Sequence, residues 1–231
     1  MGYTRNEILT ECKKAFREKS TFYKKGFINY RGKTTDTREY YTEVVAEFLC
    51  DNISEFVNGI ECISRKSTYK TEGHDGIYNP KSNREEEKIA MQIFTQSNRC
   101  GEYDFIGNIV DYQTPLKSTA DDEAGKIDLL SFEGKTMRIL ELKKPYSKET
   151  MLRCVLEGFT YMRTVDCRKL ISDFGYDPTT VVVKASPFVF YGGEQHKEMD
   201  YPRPYLRKLM ALLDSKPFYI INDEKYIVVE D

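Results

Sequence analysis

Tryptophan is absent from the chain, and histidine occurs only twice, at His74 and His196. Two histidines exclude a histidine-rich metal centre. Any bound metal would have to be held through oxygen, which points to magnesium or manganese. The six cysteines include no C-x-x-C pair, and their spacing matches no zinc site. At 231 residues the chain is long enough to bury a core without disulfide staples. Reduced, mostly buried thiols in a cytoplasmic protein are the expectation. No apolar run reaches the length of a membrane span, and the charged start MGYTRNEILTECKK lacks the apolar segment of a signal peptide. There is also no large excess of either charge. A net charge of −2 supplies no global attraction for phosphates, although an acidic site with a local basic rim is compatible with that balance.

Repeats and low-complexity segments are missing as well, so organisation has to be read from periodicity. Residues 4 to about 20 carry Ile8, Leu9, Cys12 and Phe16 at helical spacing. A basic, aromatic stretch follows, from Tyr23 through Arg31, and reads as a solvated loop that can touch nucleic acid. Residues 35–57 read as a second helix, capped by Asp36 or Thr37, with Val44, Val45, Phe48, Leu49 and Ile53 on its apolar face. The polar segment 64–83 is rich in Gly, Pro and Asn and marks a boundary. This divides the chain into an N-terminal helical region, 1–80, and a core, 81–231.

The core begins with a helix, NREEEKIAMQIFTQ, with Asn83 as candidate cap. Three strand-like runs follow: FIGNIVDYQTPLK, KIDLLSFEG and KTMRILELKKP, the last two joined by a hairpin turn at Glu133-Gly134-Lys135. A strong helix comes next, SKETMLRCVLEGFTYMRTV, with Ser147 as candidate cap. In the tail, TTVVVKAS and PFVFY read as buried strands, YLRKLMALLDS as a helix, and PFYIIND with KYIVVED as a closing hairpin. The fold class expected from this order is α/β, a mixed β-sheet flanked by helices with an N-terminal helical extension.

Three residues in the core interrupt apolar strands. Asp128 lies between Ile127 and Leu129, and Glu141 and Lys143 follow Ile139-Leu140. Side chains alternate along a strand, so Glu141 and Lys143 share a face, and a hairpin can bring Asp128 beside them. Two carboxylates suit a hard divalent cation, and a lysine fixed next to them can orient water or stabilise charge at phosphorus. That set suits phosphodiester hydrolysis. The plainer alternative is an edge strand with a solvated face.

Asp128 and the run Glu141-Leu142-Lys143, within a helix–strand–strand–strand–helix order, resemble the signature of the PD-(D/E)XK nuclease superfamily. EEEKIAMQIF, DYQTPLK, GKIDLLSF, ILELKKP and ETMLRCVLEGFTY are similar, more closely, to a group of small bacterial proteins of that superfamily. The likeness covers roughly residues 84–165, and Ile127 stands where the signature has proline. It implies a restriction-endonuclease-like fold and magnesium- or manganese-dependent cleavage of nucleic acid, DNA above all. Asp128 and Glu141 would hold the metal and Lys143 would serve catalysis. A first-helix glutamate often completes such a cluster. Glu86 matches best, because its helical phase falls in the stripe of Ile89, Ala90, Ile93 and Phe94; Glu87 is the fallback, and a dipole-stabilising role is the plainer reading.

Glu149, Arg153, Glu157 and Tyr161 follow at intervals of four. They read either as ion pairs or, by resemblance to an accessory Q-x-x-x-Y motif with Glu157 in place of Gln, as substrate contacts through Arg153 and Tyr161. Gln113 and Lys117 are further candidates for the same cleft. The expected partner is nucleic acid, with no membrane, and homo-oligomers are compatible with the reading. The rival expectation is an inactive nucleic-acid-binding or assembly module that keeps the fold; a third is another metal-dependent phosphotransfer enzyme.

Overall fold

A computed structural model describes residues 2–74, 84–116 and 125–230. Lys117 and Asn83 lie outside them. Six strands form one mixed sheet in chain order: β1 (Asn108–Pro115), β2 (Lys126–Glu133), β3 (Thr136–Leu142), β4 (Val182–Phe190), β5 (Phe218–Asn222) and β6 (Tyr226–Val229). β1–β2–β3 is an antiparallel meander, β4 and β5 add in parallel, and β6 closes antiparallel. The turn between β2 and β3 places Gly134 at φ +59°, where a Cβ would be strained.

Helix α1 (Arg5–Ala15) is held by a capping box between Thr4 and Glu7, and packs on α2 (Tyr41–Asp51). It ends five residues before the expected limit. The next apolar residues enter two 3₁₀ turns, Lys19–Lys24 and Gly26–Asn29, which bury Phe22, Tyr23, Phe27 and Ile28. The basic-aromatic stretch is therefore core, not a solvated loop, because its aromatics fill the space between α1 and the sheet's helical cover.

The second expected helix is two: α2, then α3 (Ile53–Asn58), broken at Asn52 with φ −118°. Neither Asp36 nor Thr37 caps it. Asp36 instead accepts from the Arg5 and Thr37 backbone N–H groups. Helix α4 (Glu85–Cys100) starts after Arg84, not Asn83. Helix α5 (Met151–Thr164) is capped by Thr150, whose hydroxyl accepts from the Arg153 N–H; Ser147 lies a turn too early. Helices α6 (Cys167–Asp173), α7 (Glu194–Met199) and α8 (Pro204–Leu212) complete the cover, with α8 packed on α2. The two expected tail strands are the single strand β4.

α4 covers β1 and β2, and α5 covers β3 and β4. Two apolar cores result. One joins Ile89, Ile93 and Phe94 to Leu129, Leu140, Leu142, Phe188 and Phe218. The other joins Leu130, Ile139 and Val189 to α5 and to the N-terminal Ile8, Phe22, Val45 and Phe56. The N-terminal helices thus share one continuous core with α5. Among the described residues, no helix is long and apolar enough to cross a membrane.

Candidate functional site

Strand β3 is interior, flanked by β2 and β4, so the edge-strand account of Glu141 and Lys143 does not hold. Its alternation sends Leu140 and Leu142 into the α4-side core and Ile139 into the α5-side core. Glu141 follows Ile139 towards α5, and Lys143 stands one residue beyond the strand. Both are buried, 3% and 5% exposed. Buried charge of this kind is costly unless each group is paired.

The pairing is dense. Lys143 Nζ lies 2.7 Å from Glu141 Oε1, 2.8 Å from Glu149 Oε2 and 3.1 Å from Glu157 Oε2. Arg153 Nε lies 3.2 Å from the same Glu157 oxygen, and its guanidinium sits over the Tyr23 ring. Tyr161 donates to Glu157 Oε1 at 3.0 Å, and Tyr23 donates to Tyr161 at 3.4 Å. The i,i+4 series on α5 therefore turns inward as one network around Lys143.

Close approach of α5 to β3 is what makes this possible. Gly158 is the point of contact: a Cβ there would lie 3.3 Å from the Glu141 Cβ. Gly125 has the same meaning at the other end, since its Cβ would collide with Tyr161 Oη at 2.1 Å.

Asp128 reaches the cluster from β2. The register pairs Leu129 with Leu140, so Asp128 comes opposite Glu141 as the ladder ends. Its Oδ2 accepts from the Leu142 N–H at 3.0 Å, and its Oδ1 from Gln113 Nε2 at 3.1 Å. Strand order is locally broken here. Ile127 and Leu129, two residues apart, enter opposite cores, and Gln113 across the ladder has φ +49°. From α4, Glu86 Oε1 accepts from the Lys144 N–H at 3.4 Å, while Glu85 pairs with the Lys144 ammonium at 3.2 Å.

The acids divide sharply in charge. Burial pushes the half-buried Asp128 carboxyl up to about 7; Lys143 opposes this, while Glu86 and Glu157 add to it. Burial, reinforced by Glu157, drives Glu141 well above the usual carboxylate range despite its bond to Lys143. Burial also acts on Glu157, but Lys143 and Arg153 prevail and hold it below the usual range. Burial disfavours the Lys143 ammonium, yet Glu141 and Glu157 keep it charged, well above an ordinary lysine. Glu157 is thus the ionised partner of Lys143 and Arg153, and Asp128 and Glu141 form a proton-retaining pair.

One atom in this cluster stands alone: Glu141 Oε2 is buried without a hydrogen-bond partner. A buried unpaired acceptor costs on the order of 1–3 kcal/mol. A hard cation would satisfy it, and Asp128 supplies oxygens with spare lone pairs. Magnesium needs only one or two protein carboxylates because it keeps several waters. The donor set therefore fits such an ion, although among the described residues no group of three or more His, Cys, Asp or Glu side chains is arranged to hold one.

The expected candidates are thus distributed as follows. Asp128, Glu141, Lys143 and Gln113 meet directly, Glu86 adjoins them through Lys144, and Arg153 and Tyr161 are tied to Glu157. Sequence reading missed Glu149 and Glu157 as partners of Lys143. Their only trace was the spacing of four, with a glycine set into the helix after Glu157. Comparison with family models, curated proteins and solved structures found no match.

Proposed function

We propose that the chain is a magnesium- or manganese-dependent nuclease of the PD-(D/E)XK type, with a restriction-endonuclease-like core and DNA as substrate. The observation that carries this is the orphaned Glu141 Oε2 beside Asp128, two acids that burial and mutual repulsion leave protonated, next to a lysine held in its charged form. A site of this kind is poised to exchange protons for a divalent cation.

Asp128 and Glu141 would hold the ion, and Glu86 would add negative charge from α4. When bound, the ion supplies polarisation of the scissile phosphate and a lowered pKa for an attacking water. Lys143, fixed by Glu157, keeps an ammonium beside the reacting oxygens, where it orients water and offsets developing charge. Glu157 is itself held by Arg153 and Tyr161, so the lysine cannot drift from that position.

The test combines manganese titration by calorimetry with cleavage of linear, circular and single-stranded DNA. Asp128→Asn and Glu141→Gln keep side-chain volume, and each is expected to abolish both cation binding and cleavage. Cleavage unchanged in both variants would overturn the proposal. A second reading, a binding or assembly module without catalysis, is favoured by the saturation of Lys143 with three carboxylates. Cation binding without cleavage of any substrate would select it.

A further inference from the structure

The segment that follows Lys143 combines two features that rarely coincide. Tyr146 is 85% exposed, the most exposed large apolar side chain of the described residues. Yet the backbone that carries it is tightly held. Lys143 donates its N–H to Phe188, and Ser147 closes a turn onto the Lys144 carbonyl at 3.0 Å. The buried Gln195 side chain donates to the carbonyls of Ser147 and Glu149, at 3.3 and 2.6 Å. Arg31 donates to the carbonyls of Lys148 and Glu149, at 2.9 and 3.1 Å. Thr150 Oγ1 is anchored on the Ile28 carbonyl at 2.8 Å. Pro145, just before the tyrosine, restricts the backbone further.

A mobile loop can expose a tyrosine at no consequence. A fixed one presents the ring in a set direction, with both faces open to water. No aromatic ring or cation among the described residues lies against it. Lys144 and the exposed Lys148 flank it on either side. Three peptide steps separate it from Lys143, so its Cα lies within about 11 Å of the lysine's. That distance corresponds to a few nucleotides of a strand laid across the site.

We infer that Tyr146 is a stacking platform for an unpaired base, and that the strand admitted to the site is single-stranded DNA or the frayed end of a duplex. This rests on the nuclease reading above for what the site does, but not for whether the strand binds. In a paired duplex the base faces are occupied by their neighbours, and only edges are open. A tyrosine ring can stack only on a base that has left the column. Lys144 and Lys148 then neutralise phosphates on either side of that base, a contact that takes no account of sequence.

The chain contains no tryptophan, which makes the test direct. Tyr146→Trp places a single emitter at the platform. Its fluorescence is expected to be quenched by a short oligothymidylate and unaffected by a blunt duplex of the same length. Anisotropy with labelled strands, in EDTA and again in magnesium, is expected to show Tyr146→Ala weakened about tenfold or more for the single strand. Tyr146→Phe should bind as the wild type, and duplex affinity should not change. Equal single-strand affinity for wild type and Tyr146→Ala in both buffers would overturn the inference, as would a wild-type protein that binds no single strand in either. Binding through Tyr146 without any cleavage would leave it standing and overturn the nuclease reading instead.

Discussion

Strand β3 sends its alternate side chains into two unlike surroundings. On the α4 side, Leu140 and Leu142 join Phe94, Leu129 and Phe188 in a wholly apolar core. On the α5 side, Glu141 and the following Lys143 enter a network of four ionisable partners, beside Ile139 and Leu130 of the other core. The first arrangement removes apolar surface from water and stabilises the fold without further conditions. The second leaves an acceptor unpaired and two acids protonated, and an apolar replacement would pack there at lower cost. A fold that needed only stability would place leucines on both faces. The asymmetry separates what holds the sheet together from what the sheet is for.

The largest effect should come from breaking the charged face at its centre. Lys143→Ala leaves Glu157 and Glu149 without their main countercharge. Removing one partner of a buried pair costs about 3–5 kcal/mol. The loss should be greatest near pH 8 and smaller near pH 5, where the acids can take up protons instead. Urea denaturation at both values checks this. A variant equally stable at both would mean that the network is not held together by charge.

The apolar face offers the contrast. Leu140→Ala is expected to cost about 2–5 kcal/mol through lost contacts and a residual cavity. This loss should be independent of pH between 5 and 8 and should leave cation binding intact. If it instead altered manganese affinity, the two faces of β3 would be coupled and the separation drawn above would be wrong.

Asp128 gives a smaller, pH-shaped effect. Its carboxyl is raised from about 4 in the unfolded chain to about 7 in the folded one. Between these values the folded state binds the additional proton, so stability falls as pH rises. The contribution is fully present below about 4 and lost above about 7. Metal-free wild type should therefore weaken across that window more steeply than Asp128→Asn, and added manganese should flatten the curve by replacing the proton. Thermal melts at intervals of pH test it; parallel curves for the two proteins would count against the raised pKa.

Much of the architecture was legible because it depends on short-range pattern. The period of the apolar residues gave β1 to β3, α4 and α5 in order, and the alternation of Leu140, Glu141, Leu142 and Lys143 gave their two faces. Caps were misread for a definite reason. Ser147 and Thr150 are equally good capping residues, and the choice was made by Ile28 and Asn29, which hold Thr150 from the distant N-terminal turns. The same long-range packing turned the basic-aromatic stretch into core, since lysines at the surface disguised Phe22, Phe27 and Ile28 beneath. At the site, Asp128, Glu141 and Lys143 stood out as charges among leucines. The role of Glu157 did not, because the distance between α5 and β3 is written only in Gly158, and a helical glycine has several explanations.

Gly158 is also where the smallest change in stability should carry the clearest functional signal. Alanine in a helix interior is favoured over glycine by about 1 kcal/mol. Against this, the new Cβ would sit 3.3 Å from the Glu141 Cβ and 3.8 Å from that of Ala185. The first contact is tight, so Glu141 or α5 must yield by a few tenths of an ångström. The two contributions are of similar size and opposite sign, and Gly158→Ala is expected to change stability by less than about 1 kcal/mol. The displaced atom, however, belongs to the acid that carries the unpaired oxygen. Cation affinity should therefore fall although the fold does not weaken, which a paired measurement of urea midpoint and manganese titration would register. Undiminished affinity would show that Glu141 can shift without consequence, and that its oxygen is not a ligand.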